Sequence, residues 1–396
     1  MKVLIYFEKS NLKPVGGPAG YLNNLYNEII KNNVDYICFL DSKKSKRKEF
    51  FRKIFKKLPK KVQDMYYEYD KKNNSILEEV FDSRKRISSI DLNEYVIIHF
   101  HSTFSMYMIK DSLKDYRGKV ILTSHSPKAL HLEKIDSIDQ EEYKKNKSQY
   151  DKLEIFDEYA FNRADYILFP TPEAEECYYN TWPKYAEIHD KNKNKYIYLP
   201  TGINNVTIYS QKDEIRKKYN IPMNAFVISY VGRHNEVKGY ADLKKIGEEI
   251  LKRDSNIYFL IGGKEEPIQG LDNERWIEIG WTDKPHDLIN ASDMFILPNK
   301  ETYFDLILLE VLSVGKTVLV TDTGGNKYFK RFKDSGIFYY EYGNKENAIN
   351  MIETIKKQNL KLYDKKNKEI FKKNFTIDIF TKKYIEIVNK IYNGEE

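Results

Sequence analysis

The sequence predicts an α/β protein built from two doubly wound parallel sheets. Short apolar runs, each the length of one strand, alternate with longer segments of helical spacing along most of the 396 residues. These runs are apolar throughout, as expected for parallel strands that are buried on both faces. Glycine or charged residues follow many of the runs, and the carboxyl ends of parallel strands are where such sheets bind ligands.

Six of these apolar runs lie in the first half of the chain. Gly16 and Gly17 follow the first run, and we expect a helix to begin at about Ala19. Residues 61–93 are polar and carry no clear pattern. The six predicted strands are KVLIYF, DYICFL, EYVIIHF, KVILTSH, DYILFP and KYIYLP.

Six further runs lie in the second half, and an amphipathic segment at 376–392 predicts a final helix. Neither half shows an internal repeat or a low-complexity linker. The predicted strands are AFVISYVG, NIYFLIGG, WIEIG, MFIL, TVLV and GIFYY.

Composition excludes several classes of protein. A hydrophobic content of 41% is that of a folded chain and not of a disordered one. Cys38 and Cys177 form no disulfide or metal pattern, which fits a reducing compartment. No apolar run reaches the roughly 18 residues of a membrane span, and KVLIYF is too short for a signal peptide. We therefore expect a cytoplasmic protein.

Positive charge is concentrated in one segment. Residues 43–61 hold eleven Lys or Arg against the single acid Glu49, a net charge of +10, whereas the whole chain is +7. Apolar residues recur in this segment at helical spacing, which predicts a basic amphipathic helix. Two interpretations remain open. The helix either packs on the core with solvated lysines or contacts an anionic surface, such as the inner face of a membrane. No nucleic-acid-binding motif accompanies it.

Polar motifs follow strand after strand, and in a parallel sheet these ends share one edge. The convergence of so many such motifs favours a ligand site over chance placement. In chain order they are Gly16 and Gly17, His99 and His101, His125, Gly232 and Arg233, Gly262 and Gly263, Glu301, and Gly324 and Gly325.

The stretch 293–326 is the richest of these regions. Glu301 lies in the loop after MFIL, and Glu310 lies in the helix that follows. Thr302 and Asp305 have the spacing of a capping box at the start of this helix. Gly315 should end it. Carboxylates beside a helix N-terminus at a strand end predict a binding site.

The segment GRHNEVKG at 232–239 follows another strand and offers two cations. Arg233 presents a planar fork and Lys238 a point charge, framed by Gly232 and Gly239. Together they could neutralise a diphosphate. Two isolated cations would more often be solvated surface residues, but the glycines on either side favour a binding role here.

These motifs resemble those of the retaining glycosyltransferases of family 4, which have the GT-B fold. The family pattern is a carboxylate, an aromatic turn, a second carboxylate, a Gly-Lys turn and a Gly-Gly turn. The matching residues here are Glu301, TYFD, Glu310, VLSVGKT and TGGN, together with GRHNEVKG and the hinge-like YLPTGIN at 198–204. Eight residues separate Glu301 from Glu310, where the family has seven.

This resemblance implies two Rossmann-like domains that face a central cleft. The expected ranges are an acceptor-binding domain at 1–200, a nucleotide-sugar-binding domain at 201–375, and a helix at 376–396 that crosses back to the first domain. It also implies transfer of a hexose or N-acetylhexosamine from a nucleotide-sugar, such as a UDP-sugar, to a glycan, lipid-linked or protein acceptor in polysaccharide biosynthesis.

The resemblance also implies roles for individual residues. Glu301, His125, Arg233 and Lys238 are the expected catalytic residues. Glu310 is expected to accept hydrogen bonds from the ribose, and Glu301 to approach the sugar. His99 and His101 are expected on the acceptor side. The expected donor-binding set is Gly16, Gly17, Arg233, Lys238, Glu301, Tyr303, Phe304, Asp305 and Glu310.

No metal or other cofactor is expected. The chain has no Asp-x-Asp, the motif of metal-dependent glycosyltransferases of the other main fold. Cations and helix N-termini could take the place of a metal ion. One alternative is a phosphorylase, which would need a lysine that binds pyridoxal phosphate. The other is a non-catalytic partner that binds a nucleotide-sugar or glycan without turnover.

Overall fold

The structure is a computed structural model that describes residues 1–7, 17–40, 58–65 and 91–395. Gly16 and residues 43–57 of the basic segment lie outside the described residues. The predicted amphipathic helix of that segment therefore stays a prediction.

The chain divides into two compact units. The first comprises Met1–Leu168, Thr181–Ile197 and Ile385–Glu396, and the second comprises Phe169–Asn180 and Tyr198–Tyr384. The stretch from 169 to 180 thus groups with the second unit, although it precedes the expected domain boundary at residue 200. Each unit is built around its own six-stranded sheet.

The first sheet has the strand order β2-β1-β3-β4-β5-β6. The pairs β1–β2, β1–β3, β3–β4 and β4–β5 are parallel. Its strands are β1 (Val3–Tyr6), β2 (Ile37–Phe39), β3 (Ile97–Phe100), β4 (Lys119–Leu122), β5 (Tyr166–Phe169) and β6 (Tyr196–Tyr198).

The second sheet has the order β12-β11-β10-β7-β8-β9, and all five of its pairs are parallel. Its strands are β7 (Phe226–Val231), β8 (Ile257–Gly262), β9 (Trp276–Gly280), β10 (Met294–Leu297), β11 (Thr317–Thr321) and β12 (Ile337–Tyr340). All twelve predicted apolar runs therefore form strands.

Residues 60–65 are helical, and fourteen further α-helices lie between and after these strands within the described residues. In chain order they are α1 (Pro18–Lys31), α2 (Thr103–Met108), α3 (Leu130–Asp136), α4 (Gln140–Tyr150), α5 (Glu154–Arg163), α6 (Glu176–Thr181), α7 (Tyr185–Asn192), α8 (Lys212–Lys218), α9 (Tyr240–Arg253), α10 (Pro285–Ala291), α11 (Leu306–Val314), α12 (Lys345–Lys356), α13 (Leu360–Asn374) and α14 (Ile377–Asn393). Within the described part of the chain, no helix is both long and apolar enough to cross a bilayer.

Strand β10 shows why the second sheet needs apolar residues at every position. Successive side chains of a strand point to opposite faces. Met294 and Ile296 pack in one core with α9 and α12, and Phe295 and Leu297 pack in the other core with α11 and α13. Both faces are therefore buried under helices, which is the doubly wound arrangement the sequence predicts.

Candidate functional site

The loop from 298 to 305 lies at the carboxyl end of β10 and leads into α11. Two glycine-containing turns pack against its backbone. A Cβ atom added at Gly239 would lie 1.6 Å from the carbonyl oxygen of Pro298, and one added at Gly325 would lie 2.0 Å from that of Tyr303. Gly239 also has φ of +66°, which favours glycine. Only glycine therefore fits at these two close approaches.

Lys238 and Asp305 join the two motifs that the sequence singles out. The Lys238 Nζ atom lies 2.7 and 2.8 Å from the two carboxylate oxygens of Asp305. Both side chains are about four-fifths buried, with exposures of 23% and 19%. The Asn299 side-chain amide also donates to Asp305 Oδ2. Segments 67 residues apart in sequence thus meet through one carboxylate.

The predicted capping box is wrong. The N-cap residue of α11 is Asp305 itself, and its side chain makes no capping hydrogen bond. The Asp305 carboxylate is used by Lys238 and Asn299 instead, and Thr302 lies before the helix. The prediction that Gly315 ends this helix is confirmed, because Gly315 is the C-cap residue with φ of +81°.

Arg233 is exposed, and its loop is held by neighbouring polar groups. The Tyr230 hydroxyl donates to the carbonyl oxygen of Arg233 over 2.8 Å. The Lys238 N–H group donates to Asn235 Oδ1 over 2.9 Å. Among the described residues, the Arg233 guanidinium has no hydrogen bond or ion pair. The loop therefore presents one unpaired cation beside one paired cation.

Glu310 lies in α11 and contacts a histidine of α10. His286 Nε2 and Glu310 Oε2 are 3.0 Å apart, and the two side chains are 23% and 28% exposed. This contact fixes one carboxylate oxygen of Glu310. The other oxygen is available to accept hydrogen bonds from a ligand.

The loop also holds polar atoms that are buried and lack a hydrogen-bond partner in the described structure. They are Asn299 Oδ1, Glu301 Oε2 and Thr302 Oγ1. Asn299 is fully buried and Thr302 is 2% exposed. Buried polar atoms are nearly always hydrogen-bonded in folded proteins. Three such atoms lie within four residues, so this loop has unused hydrogen-bonding capacity in the described structure.

The two aromatic residues of TYFD have different surroundings. Phe304 is buried in the core, where its ring stacks on Phe329 with 5.5 Å between the ring centroids. The Tyr303 ring lies 5.3 Å from that of Phe169. Only the backbone of Phe304 could therefore contact a donor.

The Gly-Gly turn begins a 3-10 helix at Gly324–Arg331. The Gly324 N–H group donates to Glu176 Oε1 over 3.1 Å, and Lys327 forms an ion pair with the same carboxylate. An acidic side chain of the chain itself thus occupies this turn.

Three histidines predicted as site residues form a cluster in the first unit. His101 Nδ1 and His125 Nε2 are 2.8 Å apart, and His99 Nε2 lies 2.8 Å from the Thr123 hydroxyl. The Tyr21 ring packs edge-on against His125 at 4.8 Å. The structure therefore brings the three predicted histidines together.

Burial keeps these imidazoles neutral. It lowers the pKa of His99 to about 3, with a further contribution from His125, and lowers the pKa of His125 to about 3. Burial, followed by repulsion from His99 and His125, holds the pKa of His101 well below its ordinary value. Buried bases resist protonation because the charged form loses its hydration.

Gly17 is the N-cap residue of α1 and has φ of +75°. A Cβ atom there would meet nothing within 4 Å, so positive φ, and not crowding, is what favours glycine.

Among the described residues, no group of three His, Cys, Asp or Glu is arranged to hold a metal ion.

The sequence predictions missed two residues of this region, His286 and Asn299. His286 follows the carboxyl end of β9, in WTDKPH, and Asn299 follows β10 by two residues. The strand-end rule applied to WIEIG would have marked His286. No spacing signal indicates that Asn299 contacts Asp305.

Comparison with known families shows that residues 211–374 match the family described as "Glycosyl transferases group 1". The matched segment contains every second-unit residue of the predicted site. It corresponds to less than half of the chain.

Among curated relatives, the O-antigen biosynthesis glycosyltransferase WclY of Escherichia coli is 24% identical over 216 residues, which cover 50% of this chain and 59% of WclY. The chain thus matches well under two thirds of that relative's length. Glycogen synthase of Clostridium botulinum is 27% identical over 204 residues, covering 46% of this chain and 41% of that protein.

Among solved structures, sucrose-phosphate synthase from Thermosynechococcus elongatus has a TM-score of 0.66 at 16% identity and covers 99% of both chains. HepE of Anabaena, solved with UDP-glucose, has a TM-score of 0.61 at 14% identity, covering 98% of this chain and 100% of that one. At this identity the likeness concerns the fold. The chain therefore has the GT-B fold, and its residues 211–374 are similar to the glycosyl transferases group 1 family.

Proposed function

We propose that the protein is a retaining glycosyltransferase that moves a hexose or N-acetylhexosamine from a nucleotide-sugar to a glycan, lipid-linked or protein acceptor. The observation that carries this proposal is the meeting of two motifs in the second unit. Lys238 of the cationic loop and Asp305 of the acidic loop are in direct contact, and Glu310 lies on the helix that Asp305 begins.

Each part of this region suits one part of a nucleotide-sugar. Arg233 and Lys238 supply positive charge for the diphosphate, whose negative charge grows as it leaves. The oxygen of Glu310 that His286 leaves unoccupied suits a ribose hydroxyl, since a carboxylate only accepts hydrogen bonds. The buried, unpartnered oxygen of Glu301 in the described structure suits a sugar hydroxyl.

The proposed mechanism is front-face transfer without a metal ion. The departing diphosphate takes the proton of the acceptor hydroxyl, and the new bond forms on the face that the diphosphate leaves. The protein contributes positioning and charge stabilisation. His125, which the family resemblance assigns to the donor sugar, lies in the first unit, and its role stays a prediction, as do the acceptor-side roles of His99 and His101.

UDP is the proposed nucleotide. HepE, which shares the fold, was solved with UDP-glucose. WclY is named for O-antigen biosynthesis, and a further relative, TuaC of Bacillus subtilis, for teichuronic acid biosynthesis. These names support a cell-surface polysaccharide as the product. We also propose a cytoplasmic site of action, with attachment to the inner face of the membrane through the basic residues 43–61.

Turnover of nucleotide-sugars tests the proposal. The purified protein is incubated with UDP-, GDP- and ADP-linked hexoses and N-acetylhexosamines, and release of the nucleoside diphosphate is measured with and without glycan acceptors. We expect release from one donor class, and Arg233→Ala and Lys238→Ala should each reduce it by about tenfold or more.

Circular dichroism should show both variants folded. Wild-type rates in either variant would refute the phosphate role of that cation. Binding of a nucleotide-sugar without any release, across the acceptor panel, would favour the non-catalytic alternative.

A further inference from the structure

We propose that Asp305 competes with the diphosphate of a bound nucleotide for Lys238. This competition weakens binding of the nucleoside diphosphate product more than binding of the intact nucleotide-sugar, so Asp305 determines specificity between the two. This inference rests on the proposed function, because it concerns the same site. It assigns to Asp305 a role opposite to that of a donor-binding residue.

The geometry of the ion pair is that of a ligand contact. Both carboxylate oxygens of Asp305 lie within 2.8 Å of Lys238 Nζ, as two phosphate oxygens would. Asp305 therefore holds the ammonium group in the way that a diphosphate must. Arg233 has no such partner among the described residues, so the two cations of the loop differ in availability.

Asp305 does not reach Lys238 by chance rotation of a mobile side chain. The fully buried Asn299 donates its side-chain amide to Asp305 Oδ2 from the end of β10. As the N-cap residue, Asp305 also has its backbone fixed at the start of α11. The carboxylate is thus fixed from two directions and cannot turn away without losing the hydrogen bond from Asn299.

Charge then distinguishes product from substrate. The terminal phosphate of a free nucleoside diphosphate loses a second proton near pH 6, whereas the sugar ester of a donor cannot. The product therefore carries one more negative charge near neutral pH. A fixed carboxylate beside the phosphate position opposes the product more strongly than the donor.

Calorimetry with UDP and with an intact UDP-sugar tests this inference in the full-length protein. Asp305→Asn keeps the size of the side chain and removes its charge. We expect this variant to bind UDP about fivefold more tightly than wild type, and the UDP-sugar to gain less. Lys238→Gln should weaken UDP binding, because it removes a cation proposed to face the diphosphate.

Glu236→Gln is the matched control. Glu236 lies in the same loop as Lys238 and pairs with Lys300 at 2.7 Å, so this variant removes one negative charge without freeing Lys238. Its affinity for UDP should stay within about twofold of wild type.

Three outcomes would overturn the inference. Unchanged or weaker UDP binding by a folded Asp305→Asn variant would mean that Asp305 positions Lys238 for the phosphate. An equal gain in Glu236→Gln would mean that only net charge matters. Failure of the wild-type protein to bind UDP, GDP, ADP or CDP would refute the proposed function and this inference together, whereas the first two results would leave the proposed function intact.

Discussion

Replacing Glu310 by Gln should weaken binding of free UDP while the protein stays folded. The contact with His286 can survive this change, because the amide oxygen of Gln can still accept the hydrogen bond that His286 Nε2 donates to the carboxylate over 3.0 Å. The amide nitrogen then points toward the proposed ribose position. There it offers a donor where a ribose hydroxyl needs an acceptor.

The structure sets the expected magnitude. A hydrogen bond to a charged group contributes about 1.5–3 kcal/mol. Glu310 is 28% exposed, so solvent reduces this value and the lower end applies. A loss of about 1.5 kcal/mol corresponds to roughly tenfold weaker binding of UDP.

Calorimetry with UDP and 2′-deoxy-UDP isolates the contact. Wild-type protein should prefer UDP, and Glu310→Gln should lose most of that preference, since the missing hydroxyl and the missing carboxylate belong to the same hydrogen bond. Glu301→Gln is the control within the same loop region. It should bind UDP nearly as well as wild type and transfer sugar more slowly, because its proposed partner is the sugar.

Unchanged preference for UDP in Glu310→Gln would show that the ribose is recognised elsewhere. If Glu301→Gln transferred sugar at the wild-type rate and Asp305→Asn did not, Asp305 would be the residue that faces the sugar. The extra residue between Glu301 and Glu310 makes this result the most informative for the acidic loop.

Three further predictions concern other parts of the chain. Transfer should survive excess EDTA, because side-chain cations are proposed to neutralise the diphosphate; complete loss that Mg²⁺ restores would contradict this. Replacing the lysines of segment 43–61 by Gln should weaken binding to anionic vesicles at low salt, measured by co-sedimentation, by about 1 kcal/mol of binding free energy per charge removed. If the wild-type protein does not bind these vesicles, the segment has no membrane role and its lysines are simply solvated. Stability should fall as pH drops from about 6.5 toward 3, because the folded state keeps His99, His101 and His125 neutral while the unfolded chain protonates. Urea unfolding at pH 7 and pH 5 tests this prediction in wild type and in a variant with all three histidines replaced by Gln. If the free energy of unfolding changes equally with pH in both proteins, the three histidines do not cause the loss of stability.

The strands were predictable because their signal is local. Each run is apolar at every position, and the structure explains this by helices on both faces of the sheet, as for Phe295 and Ile296. Gly315 was predictable for the same reason, since a helix that ends in the left-handed region needs glycine.

The polar contacts of the candidate site were not predictable in the same way. Thr302 and Asp305 have the local spacing of a capping box, but Lys238 and Asn299 use the Asp305 carboxylate from other segments. A competing partner 67 residues away leaves no mark on local spacing. His286 shows the same limit, because its contact with Glu310 depends on how two helices pack.

The close approaches of glycines to the loop at 298–305 bear on how the sequence of this site can evolve. Gly239 and Gly325 let neighbouring backbones touch the carbonyl groups of Pro298 and Tyr303, so main-chain packing fixes the path of the loop. The side chains carried on that path are then exchangeable one at a time. A lineage can acquire a carboxylate such as Asp305 without a change of backbone, whereas one added methyl group at either glycine would clash with the backbone that carries these side chains.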